Sequence, residues 1–436
     1  MTGIRTLFRI ALALAMLLPL AACIRISVKG DPAAAMDTLE QLPEAMTRAL
    51  APLVPLRVAT YNVSLYDDHS DGLLQRLRAG DADARRIAAV LQRVRPDIVL
   101  LNEFDYDANG RAINLFQRDY LEMPQAGGGA PLTYPYRYLG PVNTGEPSGL
   151  DLDGDGRIGG EGRAAGNDAW GYGLHPGQYG MVVLSRYPID LDAVRSFRLL
   201  RWATLPDARQ PQRPRTQQPW YPPATWQQLR LSSKSHWDVP VRTPQGVVHV
   251  LASHPTPPVF DGPEDRNGAR NADEIRLWAE YLSPGDRPWL CDDAGHCGGL
   301  ASEAHFVLLG DLNADPADGD GVPGAIAQVL QHPRVNADWV PRSPGAAERA
   351  RRHGLPRKGD IHAHTGDFGP QGGTLRLDYV LPSRSLQVLD GGVFWPPEGT
   401  PTADLAAASD HRLVWLDVVR QPQPSERPRP ARAQRR

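Results

Sequence analysis

The sequence predicts an α/β protein of layered sheets and helices, and two observations lead there. Short apolar runs of strand length recur along the chain, and several of the intervals between them carry helical periodicity. The runs lie at 56–63, 97–104, 180–189, 247–254, 305–312, 375–381 and 412–419. Their Val, Leu and Tyr content suits buried strands. Between the first two, Ile87, Val90, Leu91 and Val94 fall at i, i+3, i+4 and i+7, and Pro96 ends the pattern. A second amphipathic helix is expected over 271–282, with Ile275, Trp278 and Leu282 on one face, and a shorter one after Pro323. The stretch 190–235, rich in Pro, Arg and Gln, reads as an excursion from the body rather than a second domain.

The ends of the chain carry different information. Arg5 and Arg9 precede an apolar run from Ile10 to Leu20, too short for a bilayer span of about 20 residues. Leu20-Ala21-Ala22-Cys23 resembles a bacterial lipobox, which implies acylation of Cys23 and its exposure as the mature N-terminus. Ile24 rather than Asp after that cysteine implies, by the same resemblance, an exported lipoprotein of the outer membrane, facing the periplasm or the cell exterior. Residues 1–23 are thus expected as signal peptide, 24–55 as tether, 56–420 as the folded domain and 421–436 as a disordered Pro/Arg-rich tail. Of the remaining cysteines, Cys291 and Cys297 stand close together in a Gly- and Asp-rich loop, where a local disulfide is expected rather than a zinc site.

Charge narrows the partners. The formal charge is −3, and setting aside Arg5, Arg9 and the five Arg and one Glu of residues 421–436 leaves −9 for the rest. Such a body is not built to grip a long polyanion by bulk charge. A monomer is expected, held to the membrane through its lipid anchor.

Chemistry is concentrated where the runs end. LRVATYN ends in Asn62, DIVLLNE in Glu103, VVHVLASH in His254, and HFVLLGDLN in Asp311 and Asn313. LRLDYVL carries Asp378, and Asp410 and His411 stand just before the last run. Singly, each residue is also what a turn would carry. Together, polar endings on one sheet edge converge on a crevice of the kind that binds ligands.

In this order, TYN, LLNE, SH, GDLN, LDYVL and SDH resemble the endonuclease/exonuclease/phosphatase superfamily, over roughly residues 56–419. The resemblance implies a four-layer sandwich, with two mixed β-sheets packed face to face and helices outside. It also implies a divalent-metal-dependent hydrolase of phosphoester bonds. Mg²⁺ or Mn²⁺ would be held chiefly by Glu103, with Asn62 and Asp410 beside it, since hard cations prefer carboxylate and amide oxygens. Asp378 would orient His411, and either His411 or Asp311 would be the base. Asp311 and Asn313 would contact the attacking water and a phosphate oxygen, and His254 the phosphate or the leaving group.

Other segments are read from residues alone. Asp151, Asp153 and Asp155 followed by Gly156 match the first half of an EF-hand loop, but Gly162 stands where a bidentate Glu belongs. A structural Ca²⁺ there competes with a plain Asp/Gly turn. Lys234 and His236, and Arg266 and Arg270 four residues apart, are donor clusters that either bind substrate phosphate or are surface charge. A small or lipid-borne phosphoester is the expected substrate. An extracellular nuclease is the alternative within the same chemistry, and a non-catalytic surface-binding lipoprotein is the alternative outside it.

Overall fold

The computed structural model describes residues 54–421. The signal peptide, Cys23, nearly all of the tether and the Arg-rich tail lie outside the described residues. Two mixed sheets form the body. The first comprises β1 (Leu56–Leu65), β2 (Ile98–Phe104), β3 (Tyr136–Tyr138), β4 (Met181–Ser185), β12 (Leu386–Val393) and β13 (Val414–Arg420). The second comprises β5 (Arg195–Ser196), β6 (His236–Thr243), β7 (Gly246–Ser253), β8 (His305–Asp311) and β11 (Asp378–Pro382). Their strands lie in the orders β12-β13-β1-β2-β4-β3 and β11-β8-β7-β6-β5. A small ribbon pairs β9 (Gly366–Asp367) with β10 (Thr374–Leu375).

The strands read as continuous apolar runs because both of their faces are buried. In β1, Leu56 and Val58 enter the core between the sheets, whereas Ala59, Tyr61 and Val63 enter the core under the outer helices. Strand β8 splits the same way: Val307 and Leu309 point between the sheets, Phe306 and Leu308 outward. Helices α1 (Gly72–Ala79) and α2 (Ala82–Val94) cover the outer face of the first sheet. The Asp81 side chain caps α2 by accepting the Ala84 N–H at 2.8 Å. Burying Ile87 on its inner face contributes about 1.5–3 kcal/mol. Helix α3 (Arg266–Leu282) covers the second sheet, so the layers run helix, sheet, sheet, helix.

All seven apolar runs contain strands, and several elements add to them. Strand β6 was obscured in the sequence by Pro240, which suits an edge strand. Strand β5 covers β6 only at Trp237 and Asp238, and Ile189 bridges to Val241. Helix α3 begins at Arg266, ahead of the expected 271, and helix α4 (Pro344–His353) carries no pattern of large apolar residues. The excursion over 190–235 stays with the body and lends Phe197, Trp202, Leu205, Trp226 and Leu231 to the core beneath α3. Cys291 and Cys297 are disulfide-bonded.

One edge of each sheet gathers the polar residues. Strands β1 and β2 run parallel, as do β7 and β8, so the carboxyl ends of each pair share an edge. Strand β11 is antiparallel to β8 and starts at that same edge, with Asp378 registered against Asp311.

Candidate active site

Asp311 is the last residue of β8 and the point on which its neighbours converge. Gly310 before it has φ +151, and a Cβ there would lie 2.0 Å from the Ser253 carbonyl oxygen. Glycine is what lets β7 and β8 approach closely enough to aim Asp311 into the crevice. Asn62 Nδ2 donates to Asp311 Oδ2 at 3.1 Å. His254 Nε2 lies 3.4 Å from that same oxygen and His411 Nε2 3.5 Å. On its other side, His411 Nδ1 meets Asp378 Oδ2 at 2.8 Å, which fixes Nδ1 as the protonated nitrogen when Asp378 is ionised. Asn313 donates its backbone N–H to Asp311 Oδ1 at 3.0 Å and its amide to the Pro255 carbonyl at 3.1 Å.

Glu103, near the end of β2, sits at φ 57, a left-handed conformation that costs free energy in a non-glycine residue. Its carboxylate lies 3.9 Å from His254 Nε2. Asp410 accepts from Ser64 Oγ at 3.1 Å. Burial, reinforced by the Asp410 charge, pushes the Glu103 carboxyl up to about 7. Burial likewise raises Asp311 to about 6, with Asp378 adding to the rise and His411 opposing it. For His254, burial and the Lys234 and His411 charges push the ring well below its usual value. Burial also opposes charge on His411, but Asp378 and Asp311 outweigh it and hold the imidazole well above its ordinary range.

A hard divalent cation fits this set. Glu103 and Asp410 offer carboxylate oxygens and Asn62 an amide, and a cation there would offset the burial and the Asp410 charge that raise Glu103. Ligand atoms of Asp311, Asp378 and His411 also fall within 4.8 Å of one another. Nδ1 of His411 is hydrogen-bonded to Asp378 and Nε2 lies 3.5 Å from Asp311, however, so that trio is already charge-paired and Glu103 is the better place for an ion.

Positions that the sequence pattern did not single out complete the frame. Thr365 Oγ1 donates to Asp378 Oδ2 at 2.7 Å and accepts the N–H groups of Leu377 and Asp378 at 3.0 Å each. Ser409 Oγ accepts the His411 N–H at 3.0 Å and donates to the Asn62 carbonyl at 2.8 Å. Asn102 Oδ1 accepts the Asp311 N–H at 3.2 Å, tying the two sheets together beneath the site. Ser409 stood inside the SDH motif and Asn102 inside LLNE. Nothing in the sequence marked Thr365.

The four donor residues separate sharply. Lys234 is buried, and its ammonium has no hydrogen-bond or ion-pair partner among the described residues. Burial lowers that ammonium, while the nearby charges of Glu274, Glu103 and Asp311 oppose the shift and place it at the site. His236 does not bind substrate: it is fully buried, with Nδ1 on Ser232 Oγ at 2.7 Å and Nε2 on the Glu274 carbonyl at 2.9 Å. Arg270 is likewise structural, its guanidinium spent on the carbonyls of Leu231, Trp170 and Arg230. Arg266 is paired with Glu264 and does not join Arg270 on a phosphate. In the acidic loop, Asp151, Asp153 and Asp155 come within 4.8 Å of one another. Each also caps a local backbone N–H: Asp151 those of Gly154 and Gly156, Asp153 that of Asp155, and Asp155 that of Arg157.

Solved structures show distant likeness. An endonuclease/exonuclease/phosphatase from Beutenbergia cavernae is 20% identical, over 84% of this chain and 72% of that one, at a TM-score of 0.47. Sphingomyelinase C from Streptomyces griseocarneus is 19% identical, over 83% of this chain and 99% of that one, at 0.40. A mutant beta toxin from Staphylococcus aureus with bound magnesium ions is 13% identical, over 84% of this chain and 100% of that one, at 0.37. No curated protein matches the chain. The sequence model described as Endonuclease/Exonuclease/phosphatase family matches residues 59–411, an interval that runs from β1 through His411 and takes in every strand end that builds the crevice. The chain therefore belongs to the endonuclease/exonuclease/phosphatase family, and with its buried Asp/His cluster in place it is a metal-dependent hydrolase of phosphoester bonds.

Proposed function

We propose that this hydrolase is an exported, membrane-anchored lipoprotein that uses Mg²⁺ or Mn²⁺ to cleave small or lipid-borne phosphomonoesters or diesters by in-line attack of water. The observation that carries the reading is the convergence of Asn62, His254 and His411 on one oxygen of Asp311. Held by Glu103 with Asn62 and Asp410 beside it, the cation would neutralise charge on the phosphoryl oxygens. Both nitrogens of His411 face carboxylates and keep their protons, so Asp311 is the group left to take a proton from water. His411 and Lys234 then offer positive charge to the phosphate, and His254 and Asn313 offer hydrogen bonds to its oxygens or to the leaving group.

The test is a screen of the protein with Mg²⁺, Mn²⁺ or Ca²⁺ on bis(p-nitrophenyl) phosphate, phosphomonoesters, sphingomyelin and phosphoinositides. Glu103→Gln keeps the shape and removes the charge, so metal affinity and turnover should fall together. Full activity in excess chelator would sink the reading. Export and anchoring are supported by Arg5, Arg9, the apolar run after them and Cys23. Cys23→Ser should release the protein from membranes without loss of hydrolysis. Palmitate label persisting in that variant would contradict the lipid anchor.

A further inference from the structure

Helix α3 lies over the second sheet and carries polar residues on its buried face. Glu274 stands one turn before Trp278 on that face and is fully buried. Each of its carboxylate oxygens holds a different turn. Oε1 accepts the Ser233 N–H and Oε2 the Thr256 N–H, both at 2.6 Å. Its backbone carbonyl meets His236 Nε2 at 2.9 Å. Three residues earlier, Asn271 donates to the carbonyls of Thr256 and Leu312, at 2.8 and 3.0 Å.

These attachments fall beside the residues that face the phosphate. Ser233 is the neighbour of Lys234, Thr256 stands two residues after His254, and Leu312 lies between Asp311 and Asn313. The Ser233 hydroxyl also reaches the His254 carbonyl at 3.4 Å, so the two turns are joined to each other as well as to the helix. All of these groups belong to the second sheet or to turns at its edge. Glu103 and Asn62 belong to the first sheet, and Asp410 precedes its strand β13. A buried carboxylate is costly unless its oxygens are met. Two backbone donors meet it here, and only a group that accepts at both ends answers them, since a glutamine would turn its own N–H toward one of the two. Glu274 is also a negative charge close to the Lys234 ammonium and the Arg270 guanidinium.

We propose that Glu274 is a positioning residue of the phosphoester reaction, fixing the two turns that present Lys234 and His254 to the phosphate. The inference rests on the phosphoesterase reading and extends its machinery to a side chain of α3 that acts through its neighbours. Both N–H groups are tied to one planar carboxylate, which sets the distance between the turns. A displacement of about 1 Å at a group that stabilises the reacting charge can cost about a hundredfold in rate. The metal side of the crevice is built on the other sheet. Loss of the Glu274 carboxylate should therefore separate turnover from metal binding.

The test uses the full-length protein with Mg²⁺ and bis(p-nitrophenyl) phosphate. Glu274→Gln should lower kcat by about tenfold to a hundredfold. Its affinity for Mn²⁺, read by electron paramagnetic resonance without substrate, should stay within about twofold of the wild type. Glu274→Asp keeps the charge but falls short of one N–H, so it should lower kcat less, and it carries the test if the glutamine variant does not fold. Leu277→Ala, buried on the same helix, should lower the melting temperature and leave kcat well below that temperature unchanged. Because Glu274 acts through other side chains, its loss should be smaller in a Lys234→Met background than in the wild type. Wild-type kcat in both Glu274 variants, Mn²⁺ affinity that falls in step with kcat, an equal kcat loss in Leu277→Ala, or losses that multiply with Lys234→Met would each overturn the proposal. Absence of diester hydrolysis by the wild type would instead remove the phosphoesterase reading beneath it.

Discussion

Asp378 Oδ2 carries two donors, His411 Nδ1 at 2.8 Å and Thr365 Oγ1 at 2.7 Å, and Thr365 is itself held by the backbone of Leu377 and Asp378. The carboxylate therefore has little freedom, and neither has the imidazole it orients. Such residues act as one unit, and their mutational effects are strongly non-additive. His411→Ala and Asp378→Asn should each lower kcat by about 10²–10³-fold, the loss expected when charge stabilisation at the phosphate is removed. The double variant should be little worse than His411→Ala alone. Losses that multiply would show that Asp378 works by some route other than His411.

At the scale of elements, the sequence was clearest where physical signals were redundant. Strands such as β1 and β8 bury both faces, so their apolar runs stand out, and the site motifs could be read because they sit at the ends of those runs. Strand β6 lacked that redundancy, since His236 and Asp238 look like surface polar residues and Pro240 looks like a break. Strand β12 is an edge strand, and its Gly391 is needed because a Cβ there would meet Leu416 Cδ2 at 2.3 Å, a requirement only the fold reveals. Thr365 was invisible for the same reason, as its partners lie in a different strand. His236 turns this into a measurement. It joins β6 to α3 through the Glu274 carbonyl, and burial lowers its ring to about 4. The unfolded chain takes up that proton near the ordinary value of about 6.5. The His236 contribution is therefore complete above about 6.5 and lost as pH falls towards 4, at up to about 1.4 kcal/mol per pH unit. In His236→Gln the slope of stability against pH across that window should drop by the equivalent of about one proton. An unchanged slope in denaturant titrations would show that another group is responsible.

Over the whole molecule, charge placement bears on which phosphoester is preferred. A nuclease that holds duplex DNA by neutralising several phosphates needs available Lys and Arg, and loses about 10³–10⁵ in affinity between 50 and 200 mM salt. The arginine-rich stretch over 195–215 is where such a track would lie. In the folded protein much of it is already committed. Arg195 is bound to Asp292 at 2.7 Å, Arg198 to Glu146 at 2.5 Å, and Arg209 lies 3.7 Å from Asp273. Arg213 rests on the Trp220 ring at 5.0 Å. These contacts organise the excursion around the second sheet and take positive charge away from any approaching polyanion. Lys234 remains at the crevice floor, suited to one phosphate rather than to a strand of them. Small diesters should therefore be turned over with higher kcat/KM than plasmid DNA, and any DNA cleavage should change by less than about tenfold over that salt range. Efficient plasmid cleavage that collapses with added salt would mean that the arginine stretch reaches DNA despite its internal partners, and the nuclease reading would replace the one proposed.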